Sequence, residues 1–425
     1  MFRKTFLFLT FLLAIHAASS INCGATQKTK LGELRKKLLC DYDTSVRPIK
    51  DPNKQIIITV TMHLKSFEYK EDENRLTIYA WMPMSWTDEH LTWDPSNWEG
   101  IKDVLVSSTE IWTPDISLYN SDNGQNIQEH GSVNCETSSA GRIQCVLPIE
   151  FTAHCKPNYA RWPYDTQSCT LYFGSWMSPG EHVDYNNKTL KVVTSETQPN
   201  HSWKIVKSKA VRVSKTYSCC PNETFPTINF TFDLERHSGV MEVLFMFPAI
   251  FMIITNLLVL LMDSSVGGNR FILLSLNIVT HFLFVQHLTW LLPHNGDTVP
   301  NILLFFRDSM FITIVVLIET VLVQAMEASQ LPKPLWVENS LKTLSQNRVG
   351  NIFFYRMNVN YDSNGLKTGS EDVETQADDA ILVATAKKRE ITAMMVLASF
   401  INRVMFVILF VVYLIMFIAL LPEGY

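Results

Sequence analysis

The chain has 425 residues, of which 47% are hydrophobic and 18% charged, with a formal net charge of −5. That balance excludes a polybasic nucleic-acid surface and fits a membrane protein. Residues 1–20 open with Arg3 and Lys4, run apolar from Phe6 to Ile15 and end on Ala17, Ala18, Ser19 and Ser20. This reads as a cleavable signal peptide, because the run falls short of the ~20 apolar residues that a span needs. All eight cysteines precede residue 221, and four N-x-S/T triplets, headed by Asn187, Asn200, Asn222 and Asn229, precede residue 239 with none after. Both facts place residues 21–238 in an oxidising, extracellular compartment.

In chain order, residues 28–40 predict an amphipathic helix with Leu31, Leu34, Leu38 and Leu39 on one face. From Gln55 to Phe232, short β-rich runs such as QIIITVTMHL, RLTIYAWM and TINFTFDL alternate with turn clusters such as DPSN and NSDNG. Many strands with little helical period predict an all-β, immunoglobulin-like sandwich. Cys135 and Cys145 flank a hairpin tip, where a cross-strand disulfide is open but not required. Cys23 and Cys40 are further candidates, since connectivity does not follow from sequence.

Beyond residue 239 four segments reach membrane-spanning length, three within 239–326 and a fourth within 403–425. The linker 327–402 carries Lys333, Lys342, Arg348, Arg356, Lys387 and Arg389, whereas Pro293 to Asn301 has no Lys or Arg, so the linker is placed in the cytoplasm. Within it, residues 378–399 have helical spacing and are expected to run as an amphipathic helix into the last span. The fold class is thus an extracellular sandwich with an N-terminal helix, followed by a four-helix transmembrane bundle.

Cys155 and Cys169 enclose thirteen residues centred on Trp162-Pro163-Tyr164-Asp165, followed by CTLYFGSW ending at Trp176. This resembles the signature loop of the Cys-loop receptors, the pentameric ligand-gated ion channels, in its nicotinic form. Trp162 and Tyr164 depart from the usual aromatics at those places. The resemblance implies a Cys155–Cys169 disulfide and a loop that passes a ligand signal to the membrane helices.

A receptor for a quaternary ammonium needs aromatic faces around a cation, because the ring quadrupole attracts charge without a hydrogen bond. WTPDISLYN offers Tyr119, FGSW offers Trp176, and YSCCPNETF offers Tyr217, Cys219, Cys220 and Phe225. AWMPMSW offers Trp81 for the opposite face. Singly, such aromatics are more often core than site; together they match an α-type nicotinic subunit, whose capping loop carries a disulfide between adjacent cysteines. Phe225 stands where a Tyr is usual, and a glycan at Asn222 would sit at the pocket mouth. The resemblance also pairs Arg236, twelve residues before Pro248, with Glu71, ten before Trp81, near Asp165 as a coupling group.

The prolines at 248 and 293 give one register for the second span, directing Ile272, Leu276, Val279, Leu283 and Gln286 to the pore. Four of these five are apolar, and Gly268-Asn269-Arg270 replaces the acidic approach that cation channels use. The polar residues Asn277, Thr280, His281 and His287 fall on a neighbouring face, so either the helix is rotated, or this face meets adjacent helices and the apolar one narrows the pore; the two-proline register favours the latter. Glu319 in the third span should face protein or water.

The function implied is a subunit of an acetylcholine-gated channel at the postsynaptic plasma membrane. Its partners are acetylcholine or a related quaternary ammonium, the membrane, and other subunits in a pentamer of mixed composition. A ligand-binding or modulatory subunit with a poorly conducting pore is the second reading. No nucleophile–base constellation, Walker or dinucleotide motif or metal-ligand spacing is found, so neither enzymatic activity nor a cofactor is expected. His281 and His287, six apart on one helix, do not reach one ion.

Overall fold

The computed structural model describes residues 28–121, 131–262, 267–292, 298–328, 359–362, 365–368 and 393–420, with residues 339 and 343. The signal peptide, Cys23, the charged linker positions and residues 378–392 lie outside the described residues. The chain divides into two compact units, residues 1–157 with 166–237, and residues 158–165 with 238–425.

The first unit opens with helix α1 (Lys30–Leu39), capped by Thr29, whose hydroxyl accepts the Gly32 amide at 3.1 Å. Leu34, Leu38 and Leu39 are buried, but Leu31 is exposed. Leu31 shares their angular arc but sits in the first turn, and that end of the helix is exposed.

Strands β1 (Ile56–Lys70), β2 (Arg75–Thr87), β3 (Asp103–Ser107), β4 (Ile116–Leu118), β5 (Asn134–Ser138), β6 (Arg142–His154), β7 (Thr166–Ser175), β8 (Val183–Tyr185), β9 (Lys191–Val193), β10 (Trp203–Tyr217) and β11 (Cys220–Arg236) form two sheets. The larger runs β3-β5-β6-β2-β1-β8, with β9 also on β1; the smaller runs β10-β11-β7-β4. Strand β6 shows why they stack. Ile143, Cys145, Leu147, Ile149, Phe151 and Ala153 alternate inward between exposed neighbours, so one face is apolar and must be covered. Phe173 and Phe230 supply the cover from the smaller sheet, with Phe151 5.0 Å and Phe230 5.7 Å from the Phe173 ring. Burying a Phe side chain contributes roughly 1.5–3 kcal/mol. Disulfides join Cys135 to Cys145 across the β5–β6 pair and Cys155 to Cys169; Cys40 is also disulfide-bonded.

The second unit holds α2 (Gly239–Leu261), α3 (Gly267–Leu291), α4 (Asn301–Ala328) and α5 (Ala393–Leu420). All four are long and apolar enough to cross a membrane, which makes this a multi-pass membrane protein. Helix α5 begins upstream of the apolar segment, so residues 393–402 continue the span without a break. A further hairpin is formed by β12 (Val359–Asp362) with β13 (Gly365–Thr368). Residues 158–165, the tip of the Cys155–Cys169 loop, belong to this unit: Tyr159 and Trp162 are buried with Phe245, Leu288 and Phe306, and the Asn301 amide donates to the Ala160 carbonyl at 2.9 Å.

Candidate functional site

Register puts four of the five expected aromatics on one outer face. Strand β11 pairs with β7 so that Thr227 faces Gly174, and with β10 so that Phe225 faces Lys215. Tyr119, just past β4, lies edge-on to Trp176 with centroids 5.5 Å apart; Tyr217 and Phe225 stand edge-on at 5.7 Å. Strand β11, which carries Phe225, is paired with β7, which leads into Trp176, so the two pairs lie on neighbouring strands of the smaller sheet. Such geometry is the favoured one for aromatic pairs and leaves ring faces open to a cation.

Trp176 is 68% exposed, so it is not a core residue, whereas Trp112 is buried against Trp86 at 6.0 Å. The Tyr119 hydroxyl donates to the Ser175 carbonyl at 2.6 Å. Burial, then the neighbouring Tyr217 and Asp115, push this phenol up to about 12, so it stays a neutral donor. Asp115 and Gly174 were not legible as site residues. Asp115 accepts the Ser175 hydroxyl at 2.7 Å and the Met177 amide at 3.3 Å, fixing the turn that presents Trp176. The Asp after Pro114 is the local signal, because a short carboxylate accepts nearby amides. At Gly174 an added Cβ would stand 2.6 Å from the Tyr119 hydroxyl and 3.2 Å from the Pro226 carbonyl. Gly174→Ala is expected to displace Tyr119 and weaken quaternary-ammonium binding about tenfold, an effect of ~1.4 kcal/mol, with expression unchanged; radioligand displacement measures it.

Trp81 lies elsewhere. It is exposed between buried Ala80 and Met82 on β2 of the larger sheet, opposite His63 and Pro148. One chain therefore does not bring all five aromatics together.

The adjacent cysteines differ from expectation. Cys219 and Cys220 are free thiols here, their Sγ atoms 2.9 Å apart at the β10–β11 hairpin tip, against the ~2.05 Å of a disulfide. The bond between neighbours would close a strained ring, which packing alone does not impose. Among the sequons, Asn187 and Asn222 are exposed. Asn200 donates its amide to the Phe67 carbonyl at 3.1 Å, and Asn229 is half-buried, accepting from Thr227.

At the other end of the first unit, Arg236 Nη1 donates to Glu71 Oε1 at 2.6 Å, and its guanidinium lies 4.3 Å over the Trp203 ring. The Arg236 side chain is 7% exposed and Glu71 26%, so the pair is only partly solvated. Asp165 is buried.

In the helical unit Ile272, Leu276, Val279, Leu283 and Gln286 are exposed on one side of α3, while Asn277 and His281 are buried on the other. Asn277 donates to Asn256 Oδ1 at 2.9 Å, and Asn256 donates to Thr313 and Tyr413. His281 Nδ1 faces the Asn277 carbonyl at 2.9 Å, which only accepts, so Nδ1 carries the proton. Nε2 then accepts from the Ser309 hydroxyl at 2.8 Å. His287 instead stacks on Phe245 at 5.9 Å. Glu319 is nearly buried, 3.9 Å from Arg270, whose Nη2 donates to Asn402 at 3.2 Å.

Residues 31–238 match the neurotransmitter-gated ion-channel ligand-binding domain. The chain is 30% identical over 234 residues to neuronal acetylcholine receptor subunit alpha-9 of Gallus gallus, covering 55% of this chain and 48% of that one. It is 29% identical over 208 residues to subunit alpha-10 of Homo sapiens, covering 49% and 46%. With the alpha-type subunit acr-15 of Caenorhabditis elegans it shares 27% over 292 residues, covering 68% and 59%. The chain thus spans about half the length of the curated relatives it matches.

Proposed function

We propose that the chain, whose residues 31–238 match the neurotransmitter-gated ion-channel ligand-binding domain, is an α-type subunit of a pentameric acetylcholine-gated channel at the postsynaptic membrane. The observation that carries the reading is two edge-on aromatic pairs, Tyr119 with Trp176 and Tyr217 with Phe225, borne by the paired strands of the smaller sheet. Acetylcholine's ammonium would sit among these rings, with Trp81 supplied by a neighbouring subunit. The exposure of Trp81 on the larger sheet supports that division of labour. Oxidation of Cys219 and Cys220 would stiffen the capping hairpin that closes over the ligand, biasing the channel towards open. Arg236 with Glu71, and the loop tip around Trp162 and Asp165, carry the signal towards the helices. Exposed Asn187 and Asn222 are the better glycan acceptors.

The apolar side of α3 supports a second reading, a subunit that binds agonist and assembles but conducts poorly. Ile272, Leu276, Val279, Leu283 and Gln286 would line the pore, offering one hydrogen-bonding side chain among five. A pentamer of mixed composition, in which partners supply the hydrophilic lining, reconciles the two. Voltage clamp of cells expressing the chain alone and with nicotinic partner subunits separates them. Acetylcholine-evoked current in mixtures is expected; mixtures whose current is unaltered by including this chain would discard the channel role.

A further inference from the structure

Lys215 lies on β10 two residues before Tyr217, and its ammonium stands 5.2 Å from the centre of the Tyr172 ring on β7. Strand β11 runs between them: Lys215 faces Phe225, and Tyr172 faces Asn229 four residues further along. The lysine stem therefore reaches diagonally across β11, from the end strand of the smaller sheet to the strand that leads into Trp176. Within that sheet β10 is paired with β11 alone. Among the described residues Lys215 makes no ion pair.

We propose that Lys215 and Tyr172 form a latch that holds the Tyr217-bearing strand at the distance from Trp176 that a quaternary ammonium requires. Lys215 is a positioning residue, acting through β10 and not as a wall of the cage, and the inference rests on the reading of that cage as a cation site. Two effects of opposite sign meet here. A positive side chain near a cationic ligand repels it, but at an exposed position salt screens that repulsion within ~10 Å at 0.1 M. The ring contact is short-ranged and hardly screened, and at exposed sites it shifts an equilibrium about 2- to 5-fold. The latch therefore outweighs the repulsion.

The test is equilibrium binding of radiolabelled acetylcholine to the full-length chain in membranes, alone or with the partner subunit that supports binding. Lys215→Met and Tyr172→Leu are each expected to weaken binding about 2- to 5-fold, and the double variant no more than either single one. Lys215→Arg and Tyr172→Phe, which keep the cation and the ring, retain binding within about 1.5-fold. Because Lys215 is exposed, its substitutions do not threaten folding, and surface labelling controls for the partly buried Tyr172. Tighter binding by Lys215→Met would mean that repulsion dominates and overturns the latch, as would additive losses in the double variant. Wild-type binding with no change in Lys215→Met removes the latch alone; no binding by surface-expressed wild type removes the cage reading with it.

Discussion

Trp176→Ala lowers affinity for acetylcholine about 30- to 150-fold while leaving the amount of folded receptor unchanged. The indole is 68% exposed, so its removal opens no core cavity and forfeits little beyond one edge contact with Tyr119. That contact contributes about 0.5–1.5 kcal/mol to local order. With a cation enclosed, the same ring face is desolvated, and cation–π attraction to Trp reaches about 2 kcal/mol or more. Adding the lost packing brings the total to about 2–3 kcal/mol, which sets the fold-change above. Trp176→Phe keeps a weaker quadrupole and falls between the two. Displacement of radiolabelled acetylcholine measures the loss, with surface labelling as the folding control. A loss under about threefold would mean that the cation is held elsewhere.

Trp162→Ala separates binding from opening. Trp162 is 1% exposed and packs edge-on to Phe245 at 5.4 Å, among Tyr159 and Phe306. Truncating a buried Trp costs about 3–5 kcal/mol through lost contacts and the cavity left behind. The truncation falls in the helical unit, and Tyr119, Trp176, Tyr217 and Phe225 belong to the first unit and share no partner with it, so acetylcholine affinity is expected to stay within about threefold of wild type. Evoked current through mixed receptors is lost. Trp162→Phe, which refills most of the volume, recovers part of it. Retention of full current by the alanine variant, at equal surface expression, would remove the loop tip from the opening mechanism.

Much of this architecture was readable because the burial code is local. Alternation along β6 and the four long apolar runs need only near neighbours to be interpreted, and the aromatic set was recognisable from short motifs. Other features depend on register, which a single chain's pattern does not carry. Asp115 orients Trp176 only because β4 pairs with β7 at Ile116 and Ser175. Lys215 meets Tyr172 across an intervening strand, a relation with no fixed spacing in sequence. Leu31 followed helical periodicity yet faces solvent, because periodicity gives the face of a residue and not how far along the helix that face is covered. The thiols of Cys219 and Cys220 are a matter of oxidation as well as of spacing. Helix α5 starts earlier than its apolar run, since Arg403 and Asn402 are tolerated inside a helix whose remaining turns are apolar.

The hydrogen bonds that bury the polar side of α3 have a consequence for water. The Asn277 amide donates to Asn256, and the two His281 ring nitrogens are engaged by the Asn277 carbonyl and Ser309, so turning the helix outward would break these bonds, each lost group costing about 1–3 kcal/mol. The opposite side then presents branched hydrocarbon to whatever column passes beside it. A narrow passage walled in this way tends to empty itself, and an ion entering it would shed its hydration shell with nothing to replace the lost oxygens. How wet such a conduit stays would be decided by the hydroxyl groups that neighbouring subunits contribute, so the stoichiometry of assembly becomes a control on conductance.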